Sequence, residues 1–198
     1  MRARSFSHVG ITVSNFDRFV RFYADVFGCR LVAVGDSDPA RVRAFFGVDA
    51  DEPRCRIGWL RTPGGGMLEI FHFEPGAGGP DGVPDVTWNR PGLTHISFDI
   101  RDSYRWHEYL QRRGVEIVTP VETSPHGHTF FFVKDCDGNL IELIDLKYRY
   151  GFLKWMGWLG GWLFRRGMYR RHYEDDAVDG ADRAPEQSPG GRPAHVAP

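Results

Sequence analysis

Apolar and polar residues alternate with a period of two in HVGITV, where Val9, Ile11 and Val13 oppose His8, Gly10 and Thr12. They alternate again in HISFDI, where Ile96, Phe98 and Ile100 oppose His95, Ser97 and Asp99. Such alternation predicts half-buried strands. Behind the first strand, Phe16, Phe19, Val20, Tyr23, Val26 and Phe27 recur near helical spacing. Asn15 or Ser14 is its expected N-cap and Gly28 its stop. Behind the second strand, Tyr104 or Trp106, Tyr109 and Leu110 form a similar stripe, and Gly114 ends it.

The two halves repeat each other further. GGGMLEIFHF and DGNLIELID are each a glycine turn followed by a strand, and RCRIGWLRT and HTFFFVKD read as their hairpin partners. Each half is therefore strand, helix, then about three strands, a βαβββ module. The expected class is α+β, with two tandem modules at residues 5–73 and 92–146 forming cupped mixed sheets. The first module is longer: PARVRAFFG predicts a helical insertion near residues 39–47, with Pro39 in its first turn and Gly47 after its end. Residues 74–91 are dense in Gly and Pro and read as a linker.

The repeat brings out four chemical positions: His8 matches His95, and Glu69 in MLEIF matches Glu142 in LIELI. A histidine at a strand start is ordinarily a surface residue, and a strand glutamate ordinarily lies on a solvated face. Here both glutamates interrupt apolar strands, and a carboxylate in such surroundings needs a partner. If the two sheets face each other about a pseudo-twofold axis, all four residues converge. Two imidazoles and two carboxylates suit one divalent ion, whether Zn, Ni, Co, Mn or Fe.

Composition narrows the setting. The formal net charge of −1 gives no general attraction to nucleic acid. The three cysteines include no CxxC pair, which fits a reducing compartment. Basic residues near the start are not followed by an apolar core, so no secretory leader is expected and the expected location is cytoplasmic. Residues 147–173 carry seven Lys/Arg and no Asp/Glu, with three of the six tryptophans. This aromatic and basic extension is expected to pack on its own domain, on a partner chain or over the cavity. The second reading is peripheral contact with a membrane surface. Within the extension, the four glycines of GFLKWMGWLGGWLF weaken the case for a continuous helix. Residues 174–198 have the composition of a disordered tail.

HVGITV, RFYADVFGCRLV, MLEIFHF, LTHISFDI and DCDGNLIELID together resemble the vicinal oxygen chelate superfamily, which includes glyoxalase I, extradiol dioxygenases and bleomycin resistance proteins. The resemblance implies paired βαβββ modules around a divalent metal, with His8, Glu69, His95 and Glu142 at the ligand positions. The order His, Glu, His, Glu is similar to glyoxalase I of the bacterial type. It implies a lyase, isomerase or epimerase that works through a metal-stabilised enediolate on a small carbonyl or thioester substrate. By the same resemblance Glu142 is the first choice for the proton-transferring base, and Glu69 is its counterpart. An Fe(II) ring-cleaving dioxygenase and a non-catalytic ligand-binding protein are the alternatives.

Trp59, Met67, Phe71, Phe130 and Phe132 are candidate pocket residues, or simply core. His126 and His128, in the loop before a cavity strand, are candidates to assist proton transfer, or exposed loop histidines. A homodimer is expected. Whether one chain closes the site alone or two chains share it stays open at this level.

Overall fold

A computed structural model describes residues 4–74, 88, 89, 91–147 and 149–166. The chain divides into two units, Met1–Leu146 and Lys147–Pro198.

The first half of the larger unit runs β1 (Val9–Thr12), α1 (Phe16–Phe27), β2 (Arg30–Ser37), α2 (Pro39–Phe46), β3 (Cys55–Arg61) and β4 (Met67–Phe73). The second half runs β5 (Ile96–Asp99), α3 (Ser103–Arg112), β6 (Glu122–Thr123), β7 (Thr129–Lys134) and β8 (Leu140–Asp145). The sheets have matching orders, β1-β4-β3-β2 and β5-β8-β7-β6. In each, the outer strand that follows the histidine runs parallel to its neighbour, and the other pairs are antiparallel. The expected α+β class and the repeated strand–helix–three-strand order are both observed. The linker expected at 74–91 is described only at Glu74, Trp88, Asn89 and Pro91, and the expected tail lies outside the described residues.

Local signals explain the helices. Asn15 caps α1 by accepting a hydrogen bond from the Arg18 amide, and Gly28 ends the helix in the left-handed conformation at φ 69°. Asp38 caps α2 in the same way, and Gly47 closes it. Gly58 in β3 serves packing instead: a Cβ there would lie 2.7 Å from the Phe16 ring and 2.9 Å from Ile70. Its bare backbone lets the tip of the Phe16 ring approach the strand closely.

The helix-facing sides of both sheets drain into one continuous core. Phe19, Tyr23 and Ile70 of the first half share it with Leu110, Phe131 and Leu143 of the second. At the seam, the Phe27 and Phe98 rings stack at 4.5 Å, and the Tyr109 hydroxyl donates to the Asp25 carbonyl.

The turn DCDGN between β7 and β8 ties the halves together. Asp135 is 7% exposed. It accepts hydrogen bonds from the amides of Asp137 and Asn139, from the Asn139 side chain and from the Tyr23 hydroxyl. Asp137 accepts from the Ser14 amide and hydroxyl and pairs with Arg18 at the start of α1.

The smaller unit contains α4 (Arg149–Arg166). It runs unbroken through the four glycines that argued against a continuous helix at the sequence level. Among the described residues, no helix is long and apolar enough to cross a membrane.

Candidate metal centre

His8 stands one residue before β1 and His95 one residue before β5. Parallel pairing with the central strand sets Gly10 beside Glu69 and Ser97 beside Glu142. Each histidine then reaches across to its glutamate. His8 Nε2 lies 3.0 Å from Glu69 Oε2, and His95 Nε2 lies 3.5 Å from Glu142 Oε2. The four side chains are 17–33% exposed, shielded yet open to a ligand.

The surroundings of the two pairs also correspond. The residue before each histidine is a hydroxyl residue that holds Nδ1: Ser7 Oγ at 3.0 Å from His8, and Thr94 Oγ1 at 3.0 Å from His95. With the Nδ1 proton donated to that oxygen, Nε2 keeps its lone pair free to bind a metal. An aromatic ring meets each imidazole edge-on, Trp59 at 4.8 Å from His8 and Phe132 at 5.4 Å from His95. Trp59 is the cross-strand neighbour of Glu69, and Phe132 that of Glu142. The donor set of each pair, one imidazole nitrogen beside one carboxylate, fits half the coordination sphere of a divalent first-row metal.

The pairs do not meet within one chain. Among the described residues, no three His, Cys, Asp or Glu side chains gather as a metal site. The cause lies in the shared core. The two sheets bury their helix-facing sides together, so the opposite faces, which bear the His–Glu pairs, look away from that core.

The remaining candidates fall on these same outer faces with different degrees of engagement. Met67 and Phe71 alternate with the buried Leu68 and Ile70, which puts them on the Glu69 side of β4. Phe46 of α2 covers Phe71 at 5.6 Å, so the insertion roofs one end of the first cup. A cavity of about 430 Å³ opens between β2, β3 and α2, lined by Trp59, Ile57, Val34, Asp36 and Arg41. In the second half Phe130 lies 6.0 Å from Phe132, and His128 lies 6.3 Å from Phe130. His128 Nδ1 is within 2.9 Å of Ser124 Oγ in the β6–β7 turn, and His126 is exposed at the tip of that turn.

Four contributors are legible only in the structure or through the repeat. Ser7 and Thr94 occupy the same repeat position. Ser97 donates a 2.6 Å hydrogen bond to Glu142. Trp88, from the presumed linker, sits 5.7 Å from His95 and 5.4 Å from Phe132.

A larger hollow of about 740 Å³, lined by α1 and residues 113–116 and 134–136, contains none of the four candidate ligands. Its ionic residues include Arg18, paired with Asp137, and Lys134, paired with Glu116. It is a groove at the module seam. Two groups near it, the buried Tyr23 and the half-buried Cys136, hold their protons more tightly than usual. Burial, reinforced by Asp135, pushes the Tyr23 hydroxyl well above its usual range, and burial pushes the Cys136 thiol up to about 12.

The twin βαβββ fold is matched by known proteins. Residues 5–143 fit the family model described as Glyoxalase/Bleomycin resistance protein/Dioxygenase superfamily. The chain belongs to that superfamily. A lactoylglutathione lyase of Neisseria meningitidis is 28% identical over 141 residues, covering 71% of this chain and 89% of the relative. A probable lactoylglutathione lyase of Synechocystis is 24% identical over 139 residues, covering 70% and 92%. A glyoxalase family protein from Bacillus cereus shares the fold with a TM-score of 0.62 at 19% identity, covering 73% of this chain and 95% of that one.

Proposed function

We propose that the protein is a divalent-metal-dependent lyase or isomerase of the glyoxalase I kind, with His8, Glu69, His95 and Glu142 as ligands. The observation that carries this reading is the matched pair of His–Glu contacts, each with its imidazole Nδ1 anchored by a preceding hydroxyl. The relatives named lactoylglutathione lyase support the reaction class. The substrate class is then a compound with oxygens on adjacent carbons, one of them a carbonyl or destined to become one.

A bound ion would polarise the substrate carbonyl and acidify the neighbouring C–H. The rest falls to the chain. Trp59 and Phe132 flank the histidines with apolar surface that limits water around the reacting carbons. Glu142 takes the proton from one carbon and returns it to the next, with Ser97 directing its carboxylate. Glu69 faces the same chemistry from the other module.

Because the two pairs lie on faces turned away from a common core, the reading includes a homodimer. Each site in it joins the first module of one chain to the second module of the partner. Complementation tests this directly. One variant carries His8→Ala with Glu69→Ala, the other His95→Ala with Glu142→Ala, and each is expected to be inactive. After subunit exchange, a mixed dimer would contain one intact site, and activity should return to about a quarter of wild type for random pairing with independent sites. Inactive variants that fail to complement despite exchange would overturn the shared site. A wild-type protein that binds no divalent ion would overturn the metal-dependent reading itself.

A further inference from the structure

The superfamily match ends at residue 143, and α4 lies wholly beyond it. We propose that α4 docks on an anionic lipid surface, lying in the headgroup plane with an aromatic stripe turned into the bilayer. The stripe is built from Phe152, Trp155, Leu159 and Trp162, spaced by three, four and three residues, which puts them on one helix face. Phe152 and Trp155 are 60% and 70% exposed, and Trp162 is 49% exposed. These side chains have an apolar body, and the indole N–H adds a polar edge, the character suited to the boundary between acyl chains and headgroups.

Charge selects the partner. Residues 147–173 hold seven cationic side chains and no acidic one, while the chain as a whole sums to −1. This segment is thus a stretch of undiluted positive charge, and the remainder of the chain is net acidic. A second copy of α4 would bring like charge against like charge. A nucleic acid would meet the cations but leave the Phe, Trp and Leu stripe without an apolar phase. An anionic bilayer satisfies both at once. The helix spans about 27 Å at 1.5 Å per residue, but it is not apolar enough to cross a membrane. Its fit is to lie along the surface.

The test is co-sedimentation of the full chain with extruded vesicles, either of phosphatidylcholine alone or with phosphatidylglycerol added. Two variants accompany it: Phe152→Ser with Trp155→Ser, and Arg165→Gln with Arg166→Gln. Circular dichroism verifies that all three proteins fold. The wild type is expected to partition at least about tenfold more strongly onto the anionic vesicles, and high salt should reduce this. Both double variants should lose most of that binding. Equal sedimentation with neutral and anionic vesicles would overturn the proposal. So would its absence with both, or anionic binding that survives loss of Phe152 and Trp155, the outcome expected of a general polyanion site. A wild-type oligomer that dissociates in the Phe152→Ser, Trp155→Ser variant, without vesicle binding by either, would instead make a second copy the occupant.

Discussion

Ser97 Oγ donates a 2.6 Å hydrogen bond to Glu142 Oε2, while the residue in register with Glu69 is Gly10, which has no side chain to offer. The two modules are therefore not equivalent at their carboxylates. Glu142 is oriented by its own sheet, whereas the contact to Glu69 comes from His8. If Glu142 ligates a metal as proposed, the Ser97 hydroxyl would fix the direction of its carboxylate in advance.

Removing that hydroxyl should therefore cost metal affinity. Ser97→Ala is expected to weaken binding about 10- to 100-fold, and Ser97→Thr, which keeps the hydroxyl, to restore most of it. Competition against a chromophoric chelator measures this without reference to turnover. Unchanged affinity in Ser97→Ala would show that the hydrogen bond does not prepare the ligand.

Gly58→Ala should destabilise the larger unit by about 1–3 kcal/mol, because the added methyl meets the Phe16 ring and Ile70 inside contact distance in a packed core. Urea unfolding followed by circular dichroism gives the value. A stability within error of wild type would mean that Phe16 can swing aside at no cost.

Asp135→Ala should be worse, by about 3 kcal/mol or more, since it strands the buried Tyr23 hydroxyl and two turn amides together. Asp137→Ala should cost less, about 2 kcal/mol, because its side chain is only 4% exposed but its partners Ser14 and Arg18 are exposed and can turn to water once it is gone. The same unfolding assay ranks the two, and a larger loss for Asp137 would reverse the assignment of Asp135 as the anchor of the seam.

Stability should fall at alkaline pH. Burial raises Cys29 and Cys55 to about 11 and Cys136 to about 12, from a usual value of 9.0, and Tyr23 is raised well above 10.0. The folded chain thus keeps protons that the unfolded chain releases. Its stability is fully present below about pH 8 and declines as pH rises from 9 toward 11. Melting temperatures measured across this range should drop steadily, and a flat profile to pH 10.5 would contradict the protonated, buried state of these groups.

Much of this protein is legible in its sequence because the relevant physics is local. The period-two strands, the capped helix at Phe16–Phe27 and the glycine stops each depend on residues a few positions apart. The repeat then lines up His8 with His95 and Glu69 with Glu142 without any knowledge of three dimensions. DCDGN was legible as a motif but not as a device, since Asp135 and Asp137 act on Tyr23, Ser14 and Arg18 more than 100 residues earlier. Periodicity tells which face of a strand is apolar, and it is silent on what that face will cover. Only tertiary packing decided that both helix-facing sides share one core, which turns the two His–Glu pairs outward and separates them. The hydrogen bond from Ser97 to Glu142 has the same origin: it depends on parallel pairing across 45 residues, a register that the core selects and local sequence cannot.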